Sequence, residues 1–259
     1  MQVQWGFVDT YTKRKNMNNY YKMPHKVEFA EVDFGYNMRV DHMVEQFQNI
    51  TGLHSTELEI DATTMRNTSN AFWILSKWKV KVFRMPKFDE IVTSDTWPTF
   101  AKGVRFGREF TIHNEKELLV ACNSEWCTLD LDTKRPRRVN SVHYPHDMPH
   151  REDKSGAGDF LQVREEVDQA HLHHVHNVML TDIDGNKHTN NIVYIKMMLD
   201  CFSIEEFATI NLDEMQITYL SQTFCGDKIQ VYKKPTDYGY YIQGSCNDKP
   251  IFTCVLTCK

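Results

Sequence analysis

Three side chains able to move or orient a proton, Asp184, Asn186 and His188, stand at i, i+2 and i+4 within Asp182-Ile183-Asp184-Gly185-Asn186-Lys187-His188-Thr189-Asn190-Asn191. In an extended or irregular segment, alternate residues can face one pocket. A carboxylate there can attack as a nucleophile or act as a general base, an imidazole can relay the proton, and a carboxamide can hold either in place. The polar stretch ends abruptly in the apolar-periodic run Ile192-Val193-Tyr194-Ile195. This reads as a loop emptying into a helix, with Thr189, Asn190 or Asn191 as its cap. Backbone N–H groups and the positive dipole end of such a helix suit an oxyanion. The plainer reading is that Asp, Gly and Asn are turn and cap residues and nothing more.

Such a loop must be held by regular elements, and the sequence carries them in two rounds. Residues 1 to about 22 are polar and aromatic without a clear period and read as a docked arm or a leader. Alternation from Lys26 leads to the turn-rich Asp33-Phe34-Gly35-Tyr36-Asn37. Val40, Met43, Val44, Phe47, Ile50 and Leu53 then recur at helical spacing, which predicts an amphipathic helix over 39–58. After Asn67-Thr68-Ser69-Asn70 come strand-like runs at 72–83, 91–97, 104–112 and 118–131, parted by Pro, Gly and Asn-Glu-Lys turns. The second round places a strand at 175–180, a helix at 189–207, and strands at 215–223, 228–233, 238–245 and 251–256. One helix followed by antiparallel strands is an α+β unit, a curved sheet wrapped on a buried helix.

Register supports the duplication. Asp33 matches Asp184, Asp89-Glu90-Ile91 matches Asp227-Lys228-Ile229, and Asn114-Glu115-Lys116 matches Asn247-Asp248-Lys249. These ordered matches divide the chain into an N-terminal unit (1–140), a polar linker (141–172) and a C-terminal unit (173–259). At the loop the copies differ: Gly35 stands where Asn186 is, and Asn37 where His188 is. The C-terminal copy therefore holds the chemistry, and the N-terminal one is free to shape a pocket.

At 259 residues with 41% hydrophobic content there is ample core for two such units. A net charge of −5 weighs against nucleic acid as a partner. No apolar run has the length of a membrane span, and the first residues carry no signal-like apolar stretch, so a soluble, cytoplasmic protein is expected. Seven cysteines without a Cys-x-x-Cys pair argue for reduced thiols rather than a disulfide framework or zinc ribbon.

The run from Asp182 to Ile195 resembles the D-x-N-x-H-x-N-N-x-x-Y signature of acyl-ACP thioesterases. Trp73-Ile74-Leu75-Ser76-Lys77-Trp78-Lys79-Val80-Lys81-Val82, Arg84-Met85-Pro86, Asp95-Thr96-Trp97, Ser124-Glu125-Trp126-Cys127 and Asp132-Thr133-Lys134-Arg135 resemble that family's first-domain strands. The likeness runs in order from about residue 20. It implies a double hot-dog fold, two tandem antiparallel sheets each wrapped around a long central helix. It also implies hydrolysis of a fatty acyl thioester carried on acyl carrier protein, which ends chain elongation, with no cofactor. Catalytic roles carry over to Asp184, Asn186 and His188. The family's following Glu-Cys pair falls here on Gln222-Thr223, which can neither exchange a proton at neutral pH nor form a thiolate. Cys225 would share a strand face with Thr223 if the register shifted. The fold resembles a fused hot-dog dimer, consistent with a monomer or homodimer.

Trp73, Phe83, Met43, Phe47 and Met65 are candidates to line an acyl tunnel, or plain core. Arg135, Arg137 and Arg138, in Lys134-Arg135-Pro136-Arg137-Arg138, form either a solvated loop or a dock for the acidic carrier protein. His171, His173, His174 and His176 alternate along a strand, so no single face presents three of them and no metal is expected. Competing readings are an acyl-CoA thioesterase of the same fold and a non-catalytic acyl-binding protein.

Overall fold

The computed structural model describes residues 18–145 and 151–259. The expectations for residues 1–17 lie outside the described residues. The chain order is β1 (Tyr21–Lys26), α1 (Val40–Glu57), α2 (Ala62–Ser69), β2 (Ala71–Val82), β3 (Ile91–Lys102), β4 (Arg105–His113), β5 (Leu118–Asp130) and β6 (Pro136–Arg137), then β7 (Leu172–Asn177), α3 (Asn191–Leu199), α4 (Ile204–Thr209), β8 (Leu212–Tyr219), β9 (Lys228–Thr236), β10 (Gly239–Cys246) and β11 (Lys249–Cys258).

The strands form one 11-stranded sheet ordered β1-β3-β4-β5-β2-β8-β11-β10-β9-β7, with β6 beside β5. Read from its two ends, this order is the same five-strand unit twice. The expected duplication is therefore present, and the two sheets meet edge to edge through β2 and β8. Trp78 pairs with Ile217 at that seam, and Lys81 bonds Asp213 at 2.7 Å across it. Pairing the two free edges removes an exposed ladder that would otherwise template aggregation.

Each unit packs its sheet on a helix. Val40, Met43, Val44, Phe47 and Ile50 of α1 are buried as their spacing predicts, but Leu53 is 46% exposed. His54 completes the stripe instead, one position on. Its Nε2 lies 2.8 Å from the carbonyl of Asn18, and its Nδ1 lies 2.9 Å from Nη1 of the buried Arg108. Arginine has no acceptor, so His54 must accept at Nδ1 and carry its proton on Nε2. Burial, then the Arg108 charge, pull its pKa down to about 4.

The sign of the linkage follows. Between pH 6.5 and 4 the unfolded chain takes up a proton that the native state refuses, so stability present at neutral pH is lost as pH falls through that window. The full loss from this group is about 3 kcal/mol. Urea unfolding at pH 7 and pH 4.5 should show wild type losing about 2–3 kcal/mol more than His54→Gln, which keeps an acceptor for Arg108. Equal losses would contradict the assignment.

Three expected elements differ, and one helix was not expected. Helix α2 was not foreseen; Asp61 caps it, accepting from Thr63 N and Thr64 N at 2.9 and 3.2 Å. The helix expected over 189–207 is broken, because Ser203 accepts from Glu206 N and starts α4 afresh. The strand expected over 215–223 ends at Tyr219, since Leu220 N and Ser221 N both turn onto the Ile251 carbonyl. The strand expected over 175–180 is instead Leu172–Asn177, and it bulges at His173. That bulge undoes the alternation argument for the histidines.

The linker is docked rather than loose. Val142 and Tyr144 pack with Leu58, Ile60, Met65 and Phe106 in a satellite cluster. Ser155 is buried and donates to the Glu109 carboxylate and the Cys122 carbonyl. Gly156 and Gly158 adopt φ of +101° and +74°, values that only glycine takes without strain. Leu161 and Gln216 exchange two hydrogen bonds at 2.7 and 2.9 Å near the seam. Among the described residues no helix is long and apolar enough to cross a membrane.

Candidate active site

The loop before α3 is a structural copy of the loop before α1, at a constant offset of 151 positions. Asp184 N donates to His188 O at 2.9 Å as Asp33 N does to Asn37 O at 2.8 Å. Asp184 Oδ1 accepts from Asn186 N at 2.8 Å and His188 N at 3.4 Å, as Asp33 Oδ1 accepts from Gly35 N and Asn37 N at 2.8 and 3.0 Å. Lys187 and Tyr36 take the left-handed conformation at φ 66° and 60°. His176–Asp182 at 2.9 Å repeats His25–Glu31 at 2.7 Å beneath each loop. Both aspartates therefore build the same turn with one oxygen. What distinguishes the C-terminal loop is the pair of side chains that the turn presents.

Those side chains open on a cavity of about 490 Å³ between the two units. Asp184, Asn186, His188 and Gln222 lie on its wall from the C-terminal side, together with Asn191, Tyr194 and Tyr219. The opposite wall comes from α1 (Gln48, Thr51, Gly52, Ser55), from β2 (Phe72 to Leu75) and from Trp126 and Leu129 of β5. Gln48 Oε1 is buried with no partner among the described residues, leaving an acceptor for water or a substrate N–H. Phe224 stacks edge-on to the His188 ring at 5.2 Å.

A second cavity, of about 330 Å³, sits where the repeat would place one. Asp33, Val40, Leu199, Phe202 and Ser203 line it, each 151 positions from Asp184, Asn191, Gln48, Thr51 and Gly52 of the first. Its helix wall is apolar where that of the first is polar. The duplicated chain thus keeps two pockets, and only one carries an Asn and a His.

The helix start is specific. Asn190 caps α3, its Oδ1 accepting from Ile192 N at 3.0 Å. Thr189 N and Asn190 N are taken by the carbonyls of Thr223 and Asp182, at 2.9 and 2.8 Å. The expected set of oxyanion donors therefore narrows to the Asn191 amide, beside the cavity.

Thr223 is not on the cavity wall. It is buried, with Oγ1 2.7 Å from Thr189 Oγ1 and 2.8 Å from Tyr194 Oη. It pins the 220–225 loop to the start of α3, a positioning role. Cys225 is exposed in that loop and off any strand, so the shifted-register alternative falls.

Trp73 lines the cavity, its Nε1 donating to Ile60 O at 2.7 Å. Met43 and Phe47 do not; they are in the main core, the Phe47 ring tilted against that of Phe110 at 5.0 Å. Met65 belongs to the satellite cluster, and Phe83 is 44% exposed away from the cavity. Arg137 is tied to Ser69 O and Asp130 Oδ2, both at 3.1 Å, so it is a brace rather than a free dock. Arg135 and Arg138 are exposed, and Lys134 lies 5.2 Å over the ring of Phe72, a cavity residue. The basic loop therefore borders the cavity, a neighbourhood the sequence alone did not show.

Comparison with known proteins identifies the family and the fold. Residues 18–144 match the model of the acyl-ACP thioesterase N-terminal domain, and residues 165–250 match that of the C-terminal domain. The chain is 22% identical over 235 residues to an oleoyl-acyl carrier protein thioesterase of Coriandrum sativum, covering 83% of this chain and 62% of that protein. It is 25% identical over 174 residues to a palmitoyl-acyl carrier protein thioesterase of Gossypium hirsutum, covering 64% and 41% respectively. The chain thus spans less than two thirds of the length of these relatives. In structure it is similar to an acyl-ACP thioesterase of Bacteroides thetaiotaomicron, with a TM-score of 0.84 at 19% identity over 95% of this chain and 100% of that one. A 12:0-ACP thioesterase of Umbellularia californica gives 0.81 at 13% identity over 93% and 98%. These likenesses establish the hot-dog architecture.

Proposed function

We propose, from the premise that this chain belongs to the acyl-ACP thioesterase family, that it hydrolyses fatty acyl thioesters held on acyl carrier protein and so ends chain elongation. One observation carries the reading: of two cavities related by the repeat, only that at 184–188 adds a carboxamide and an imidazole to the shared aspartate.

The chemistry follows from what each group has left to offer. Asp184 Oδ1 is held by loop amides, which fixes the carboxylate and leaves Oδ2 to take a proton from water. That water adds to the thioester carbon. The Asn191 amide stabilises the oxyanion, an effect that can reach ~3 kcal/mol per donor. The carbon–sulfur bond then breaks, and the proton that Asp184 took from water passes by way of His188 to the departing sulfur, so a fatty acid and a free thiol leave and both side chains are restored. Asn186 and Gln222, each able to donate and accept, orient the water. Gln222 here holds rather than ionises, and the other carboxylate on the cavity wall, Asp61, is spent capping α2, so Asp184 is the base of the step. The N-terminal unit supplies the acyl-chain wall and the C-terminal unit the chemistry.

The carrier is recognised at the cavity rim. Lys134, Arg135 and Arg138 present positive charge on a chain of net charge −5, as an acidic partner would require. A thiol-release assay over acyl-carrier-protein and acyl-CoA substrates of matched chain length tests the whole reading. Turnover is expected on both carriers with lower KM on the protein, and Arg135→Glu with Arg138→Glu should raise that KM about tenfold at low salt while leaving acyl-CoA kinetics unchanged. Preference for CoA, or an unchanged KM, would contradict the carrier assignment; no thiol release would leave a binding protein.

A further inference from the structure

We propose that His173, His174 and Cys201, none of which lines the reacting cavity, form a binding site for one zinc-class divalent cation. The bulge in β7 creates it. Leu172 pairs with Tyr232 and His174 with Val231, so His173 is the extra residue and both imidazoles reach the same place. Their Nδ1 atoms are 3.1 Å apart. Cys201, just past the end of α3, brings its Sγ to 4.0 Å from His174 Nδ1. One ligand atom from each of the three lies within 4.8 Å of the others.

Two of the three separations are close to those between the ligands of a bound ion. Tetrahedral zinc, with Zn–N about 2.0–2.1 Å and Zn–S about 2.3 Å, sets its ligand atoms roughly 3.3–3.6 Å apart. The observed 3.1 and 4.0 Å bracket that range and the third pair lies within 4.8 Å, so the three side chains close by at most about 1 Å around the ion. Two imidazoles and a thiolate select a borderline-soft ion over magnesium or calcium.

The surroundings fit. His171 and His176 are engaged by Asp168 and Asp182 at 2.8 and 2.9 Å, which leaves them out of the site. Lys233 is neutralised by Glu206 and donates to the Cys201 carbonyl rather than to its sulfur. His173 is exposed, which gives the ion an entry path and leaves the fourth position to water. On binding, the Cys201 S–H proton passes to solvent as the metal–sulfur bond forms. The site ties β7 to the end of α3, so occupancy stabilises the C-terminal unit.

Protein stripped with a chelator and titrated with zinc in a calorimeter tests this directly. One equivalent is expected, with release of a proton and a raised Tm. Cobalt(II) should give thiolate-to-cobalt absorption that Cys201→Ser abolishes. His173→Gln, at an exposed position that cannot endanger the fold, should weaken zinc by about 100-fold, since losing even a hydrogen-bond partner of a ligand costs roughly 10–100-fold. His171→Gln should bind as wild type does. Less than one equivalent bound by wild type, or undiminished binding by both His173→Gln and Cys201→Ser, would overturn the site.

Discussion

Replacing Asp184 by Asn should lower turnover by about 10³-fold while leaving the fold intact. The substitution keeps an oxygen to accept from the amides of Asn186 and His188, so the turn survives. What is lost is the oxygen that takes the proton from water. Asp33→Asn is the matched control, because Asp33 builds the same turn over the other cavity with the same two bonds. Each variant should cost a similar, small amount of stability, and only one should lose activity. Steady-state thiol release, with circular dichroism to check the fold, reads both effects. Near-normal turnover in Asp184→Asn would remove the aspartate from the chemistry.

The second large effect separates core from cavity. Phe47→Ala should destabilise the protein by about 3–5 kcal/mol, as expected for a buried aromatic that leaves a void among packed neighbours. Phe47 is fully buried and its ring contacts both Trp78 and Phe110. It lies behind the cavity wall, so under conditions where the variant is folded, its preference among acyl chain lengths should match wild type. Trp73→Ala should do the reverse: it enlarges the cavity next to Leu75 and Trp126, and should change relative kcat/KM among chain lengths. Denaturant titration and a chain-length panel measure both. If Phe47→Ala shifted chain-length preference and cost little stability, the tunnel assignment set aside above would return.

Much of the architecture was legible because it rests on periodicity. The buried stripe of α1, the strand runs and the hairpin turns at Asn114 and Asn247 all follow from local pattern. Two helix starts were missed although their signals are local too. Asp61 followed by Thr63 and Thr64 is an N-cap, and Ser203-Ile204-Glu205-Glu206 is a capping-box sequence inside what hydrophobic spacing alone reads as one long helix. Other features depend on contacts that sequence order does not encode. Joining of the sheets through β2 and β8 is one. The bulge at His173, which brings together histidines that strict alternation keeps apart, is another.

The site shows the same division. Asp184, Asn186 and His188 were legible because a single loop carries them and its sister copy lacks two of the three. Gln222 reaches the cavity and Thr223 does not, although they are neighbours. The reason is that the chain leaves the sheet after Tyr219, and Thr223 turns inward to bond Thr189 and Tyr194. The polar α1 wall, Gln48, Thr51 and Ser55, was missed because each occupies an ordinary polar position of an amphipathic helix.

The most direct test of the central claim is to give the reacting loop the side chains of its sister. Asn186→Gly with His188→Asn reproduces the residues of the 33–37 loop on a backbone that already has the same hydrogen bonds. The measurement is single-turnover release of fatty acid from acyl-acyl carrier protein. Release is expected to fall by at least about 10²-fold while Tm stays near wild type, because the turn is preserved and the proton relay is gone. Release at the wild-type rate from a folded double variant would contradict it and place the chemistry elsewhere.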